Sequence, residues 1–62
     1  MAEPIARYRT EYKIAGEWTL GAYYGPDRER AVDDCRKVWQ RTGVTGVRVL
    51  REDQWIELER ER

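Results

Sequence analysis

Sixty-two residues make one small domain, 1–62, and a chain this short buries only about 60% of its unfolded surface. Twelve basic and twelve acidic side chains cancel, which argues against a bulk polyelectrolyte partner but leaves room for local patches. One cysteine with no histidine and no serine excludes an internal disulfide, a zinc centre and the usual base and nucleophile of hydrolytic catalysis.

In chain order, the first residues, MAEPIARYRTE, contain no apolar stretch of the signal-peptide kind. No run approaches the roughly 18 apolar residues of a membrane span. A cytoplasmic protein with a reduced thiol is expected. The ten Arg against two Lys associate with bacterial coding bias.

Residues 6–14 alternate, with Ala6, Tyr8, Thr10, Tyr12 and Ile14 on one side and Arg7, Arg9, Glu11 and Lys13 on the other. That is the pattern of a half-buried strand. Residues 18–24 alternate again, with Trp18, Leu20, Ala22 and Tyr24 opposite Thr19, Gly21 and Tyr23. A three-residue loop, Ala15-Gly16-Glu17, pairs Ile14 with Trp18, Tyr12 with Leu20 and Tyr8 with Tyr24, so both apolar sets share the helix-covered face. A two-residue loop at Ala15-Gly16 splits them, and the period-two rule selects the longer loop.

Gly25-Pro26-Asp27 stops the strand and starts a helix over 27–42, with Pro26 at a first helical position and Asp27 and Glu29 at the positive end of the dipole. Ala31, Val32, Cys35, Val38 and Trp39 form one apolar stripe, and Asp33 and Lys37 pair across a turn on the wet side. Gly43 is the left-handed cap. Residues 46–51 form a third strand, with Val47 and Val49 alternating against Arg48 and Leu50. The tail has two readings. The alternation around Ile56 and Leu58 predicts a fourth strand, 55–59, after a turn at Glu52-Asp53-Gln54, whereas Asp53 as an N-cap would begin a short helix. The strand is favoured because Arg51 and Trp55 bracket a hairpin-length turn.

The sum is an α+β domain, ββαβ(β), with an antiparallel-rich sheet and one amphipathic helix on one face. It resembles small bacterial ββαββ domains of unknown function, which open on a Trp-containing hairpin, continue with one amphipathic helix and close on a short hairpin. The resemblance implies a fold and carries no activity.

Among candidate sites, Cys35 lies mid-stripe, away from any helix N-terminus and with no histidine to activate it, and is expected in the core. Asp33 and Asp34 read as solvated helix-surface acids. Gly43-Val44-Thr45-Gly46 has the spacing of a nucleic-acid clamp, but joins a helix to a strand and reads as a cap and strand start. No phosphate loop, calcium loop or dinucleotide fingerprint occurs, so neither enzyme activity, cofactor nor metal is expected. The informative surface is the sheet face away from the helix, where Arg7, Arg9, Tyr23, Arg48 and Trp55 supply the types enriched at binding hot spots. A protein partner or self-association is the first expectation, and extra stability from association would suit so small a chain. A single-stranded nucleic acid on the same basic and aromatic face is the alternative. Residues 25–51 carry a surplus of three positive charges and residues 52–62 a surplus of three negative, so an acidic tail beside the third strand would offset that patch.

Overall fold

The computed structural model describes residues 6–62; the reading of the first residues as leaderless falls in part, at residues 1–5, outside this range. Four strands form one antiparallel sheet in the order β2-β1-β3-β4: β1 (Tyr8–Ile14), β2 (Glu17–Gly25), β3 (Val44–Arg51) and β4 (Ile56–Glu61), with helix α1 (Arg28–Val38) between β2 and β3. The domain is α+β with the element order ββαββ. The first strand of the chain is thus an inner strand of the sheet, and β2 and β4 are its edges.

The helix lies over β1, β2 and β3. Its Ala31, Cys35 and Val38 meet Val44, Val47 and Val49 in the core, with Tyr8, Tyr12, Tyr23, Val32 and Trp39 packed around them. The stripe spacing therefore gives the buried side of the helix as expected. Asp33 and Lys37 pair at 3.1 Å on the wet side. Asp27 stands just ahead of the helix and not within its first turn: its Oδ1 accepts from the N–H groups of Glu29 and Arg30 at 3.0 and 3.2 Å, the N-cap role of a short acid. Pro26 consequently precedes the cap. The helix also ends earlier than residue 42. The Trp39 N–H closes the last helical bond on the Cys35 carbonyl at 2.9 Å, and the chain then tightens as Arg41 N–H donates to Val38 O. Arg62 Nη2 donates to the Trp39 carbonyl at 2.5 Å, so a side chain takes an acceptor that another helical turn would have used. Gly43 does adopt a left-handed φ of 92°, in the turn into β3.

The first hairpin differs from expectation. Its loop is the two-residue Ala15-Gly16, with φ of 53° and 80°, and Ile14 pairs with Glu17, Lys13 with Trp18 and Glu11 with Leu20. Two consecutive positive φ values are the mark of a type I′ turn, whose twist matches that of the strands. The register is shifted by one residue from the sequence prediction, and a shift of one exchanges the two faces of β2. Trp18, Leu20 and Tyr24 lie on the face away from the helix, while Thr19, Gly21 and Tyr23 lie towards it. Further along, Arg9 pairs with Tyr24, so three residues of β2 stand opposite Thr10. Side chains satisfy this bulge: Ala22 N–H donates to Tyr12 Oη at 2.9 Å and Tyr23 N–H to Thr10 Oγ1 at 3.2 Å.

The tail is a strand, with Arg48 opposite Glu59 and Gly46 opposite Glu61. Asp53 shapes the turn instead of capping a helix. Its Oδ1 accepts from Trp55 N–H and from Arg51 Nε, both at 3.1 Å, and Gln54 takes the left-handed position with φ 65°. That Arg51 partnership and the Trp55 N–H hold the Asp53 carboxyl below the usual range.

Candidate functional site: the open sheet face and its edges

On the face away from the helix, β1 contributes Arg9, Glu11 and Lys13, β2 contributes Trp18, Leu20 and Tyr24, β3 contributes Arg48 and Leu50, and β4 contributes Glu59 and Glu61. Arg48 occupies the centre. Its Nε donates to Glu11 Oε1 at 2.8 Å, its Nη2 lies 2.6 Å from the same oxygen and its Nη1 3.7 Å from Glu59 Oε1. The guanidinium lies over the Trp18 ring, 4.1 Å from its centroid, an arrangement that favours both the planar cation and the ring quadrupole. Lys13 reaches Glu61 at 2.8 Å and lies 5.9 Å from the same ring. Gly46 makes room for the indole, since a Cβ there would lie 3.0 Å from Trp18 Cη2. Arg9 Nε lies 3.4 Å from Glu11 Oε2 without a hydrogen bond.

The cations of this face are therefore spent on its own acids. The acidic tail pairs beside β3, and Glu59 and Glu61 stand against Arg48 and Lys13. Such internal pairing weakens attraction for a phosphate backbone, because each incoming phosphate competes with a carboxylate already in place.

Among the residues singled out from sequence, only Arg9 and Arg48 come together, sharing Glu11. Tyr23 is on the helix side, packed against the core, and its hydroxyl accepts from Asp27 N–H at 2.8 Å. It helps close β2 onto the helix start and does not belong to the open face. Arg7 precedes β1, exposed, with its carbonyl accepting from Glu52 N–H at 2.8 Å. Trp55 is 63% exposed in the β3–β4 turn, beyond the ion-pair layer.

The residues that sequence reasoning assigned to the core and the structure places outside it are more informative. Leu20 is 78% and Tyr24 66% exposed, and both sit on the edge strand β2. The adjacent Ala15-Gly16 pair, with Gly second, carried the signal for the register that puts them there.

Cys35 is a core residue. Burial, with the Asp34 charge adding to it, pushes its thiol up to about 12, so thiolate chemistry at neutral pH is suppressed. Asp34 is more than a solvated acid, since it accepts a hydrogen bond from the Tyr12 hydroxyl. Burial first and that bond second raise the Tyr12 hydroxyl above its ordinary range. Among the described residues, no group of three or more His, Cys, Asp and Glu side chains is arranged to hold a metal ion, and no helix is long and apolar enough to cross a membrane. Compared with protein-family models, curated proteins and solved structures, the chain matches none.

Proposed function

We propose that the protein is a small, non-enzymatic interaction module that associates with a second copy of itself through the outer edge of β2. The supporting observation is the contrast between the two sheet edges. β4, IELERE, alternates apolar residues with charges, the usual protection of an edge. β2, EWTLGAYYG, has no proline and no charge after Glu17, and it presents most of the Leu20 and Tyr24 surface to solvent. Pairing of identical edges about a two-fold axis is self-complementary. The bulge opposite Thr10 turns the Ala22 and Tyr23 N–H groups inward, so the contact rests on the two apolar side chains and on the regular stretch near Leu20.

The test is sedimentation across a concentration series, with Leu20→Lys and Tyr24→Lys as variants. A mass that rises towards the dimer, with a melting temperature that rises in parallel, is expected for the natural sequence. The variants stay monomeric, and their own fold changes by no more than about 0.5 kcal/mol, as is usual for exposed positions. A natural sequence that remains monomeric throughout ends the proposal. Titration with a single-stranded oligonucleotide at two salt concentrations addresses the competing partner: salt-sensitive quenching of Trp18 would put a nucleic acid on this face instead.

A further inference from the structure

The geometry points to a second binding site on the other side of the sheet, a groove between α1 and β4 that takes an acidic protein segment carrying one large apolar side chain. The groove exists because the helix lies mainly over β1, β2 and β3; its first residue, Arg28, reaches β4 at Glu57, 3.4 Å away, and Leu58 and Arg60 beyond that pair line the opening. Val32, Cys35, Val47 and Leu58 form its floor and Trp39 one wall, enclosing about 280 Å³. That is near the lower end of the range for ligand pockets, room for one or two side chains and not for an elongated cofactor.

Charge identifies the occupant. Along β4 the period of two sends Glu59 and Glu61 to the open face, where they meet Arg48 and Lys13. It sends Leu58 and Arg60 to the groove, with Arg62 beyond them. Arg60 and Arg62 lie over the Trp39 ring at 4.6 and 4.2 Å. Among the described residues neither has a carboxylate within ion-pair distance. Arg36, on the opposite rim, reaches only Asp33, at 4.0 Å, and Asp33 is held more closely by Lys37. A chain with no net charge thus places Arg60, without a carboxylate partner among the described residues, and the weakly paired Arg36 on one apolar hollow, while Arg62 beside them donates to the Val44 and Trp39 carbonyls.

Held over the Trp39 indole, Arg60 loses less freedom on binding a carboxylate, and its planar fork suits bidentate pairing. An occupant with acids alone leaves the apolar floor wet, and one with an apolar group alone leaves the arginines unused. An acidic segment with a Leu or Phe side chain satisfies both. A nucleic acid supplies the charge, but its natural aromatic platform, Trp39, is already stacked by guanidinium groups.

The site does not depend on self-association, since β2 and β4 are opposite edges of the sheet. The experiment is a two-dimensional amide NMR titration of the full chain with three short synthetic peptides: Glu/Asp-rich around a central Phe, the same with Ala for Phe, and the same with Lys for the acids. Saturable shifts clustered at Val32, Trp39 and Leu58 are expected with the first peptide, and affinity at least about tenfold lower with the other two. Arg60→Ala lowers affinity for the first peptide by about tenfold, and Leu58→Gln acts similarly, each checked for an unchanged amide spectrum elsewhere. Leu20→Lys leaves the titration as it is. Absence of groove shifts at millimolar peptide overturns the assignment. So does equal binding of the Ala peptide, or tighter binding of a single-stranded oligonucleotide at the same residues.

Discussion

An alanine at position 21 would bring a Cβ within 2.8 Å of both the Thr10 carbonyl oxygen and the Tyr12 ring, and closer still to Thr10 Oγ1. Two of these neighbours are held: Thr10 is 1% exposed and its Oγ1 accepts from the Tyr23 backbone, while the Tyr12 hydroxyl is engaged with Asp34 and the Ala22 N–H. None can withdraw without giving up a bond, so Gly21→Ala is expected to cost about 2 kcal/mol. Thermal melting reads this as a loss on the order of 10 °C in a domain of this size. A neutral result would mean that β2 stands off from β1 at this point. Residue-scale reading from sequence worked for Cys35, whose helical position alone sets its surroundings. It failed for Gly21 and Tyr23, placed on the face away from the helix, because their neighbours depend on which residue of β1 each one faces.

At the scale of the element, the Ala15-Gly16 turn determines that pairing. Period-two alternation tells which residues of β2 share a face, but not which of the two faces they take. Uniting all apolar residues under the helix supplied the missing choice, and it chose wrongly. The other face offers Trp18 a partner of its own in Arg48, with Gly46 clearing the space, so an aromatic residue is stabilised there without joining the core. Turn chemistry held the answer: the loop needs two positive φ values, and Gly16 supplies one without strain. Ala15 supplies the other at φ 53°, where an L side chain costs roughly 1 kcal/mol. Ala15→Asn is therefore expected to stabilise the protein by about 0.5–1 kcal/mol, because Asn tolerates this region. Urea denaturation measures it, and an unchanged midpoint would sink the I′ assignment. The helix and the last hairpin were more legible, because apolar spacing fixes a helix face without a partner and the alternation about Leu58 continues to Glu61. The groove was not read in advance, as it results from helix and sheet differing in width.

For the whole molecule, two protons held inside the fold set its behaviour at high pH. The Cys35 thiol is raised from 9.0 to about 12, and the Tyr12 hydroxyl is raised above 10.0. Above pH 9 the unfolded chain releases the thiol proton while the folded chain keeps it, so stability falls as pH rises and is lost up to the folded value. The loss from Cys35 is on the order of 1 kcal/mol by pH 10, with Tyr12 acting in the same direction above its unfolded value. Denaturant midpoints across the alkaline range should decline in this way. Cys35→Ala should lower stability by about 1 kcal/mol at neutral pH and remove the first part of the decline. A decline of the same depth in that variant would separate the thiol from the effect. In the natural sequence a thiol reagent should react only as fast as the fold opens, and immediate stoichiometric labelling would contradict the burial of Cys35.

The placing of β1 inside the sheet also has a meaning in time. Its partner on one side follows it at once across two residues, and hairpins of this kind close within microseconds. Its partner on the other side, β3, pairs Arg51 with Tyr8 and joins residues near opposite ends of the chain, a closure that is slower by its entropy. During synthesis, therefore, the first hairpin has two open edges until β3 emerges and docks, and once β4 has paired with β3 in turn only the β2 edge lacks charged protection. Whatever pairs with β1 in that interval competes with the protein's own third strand, so the speed of elongation through residues 44–51 becomes part of how faithfully the sheet is assembled.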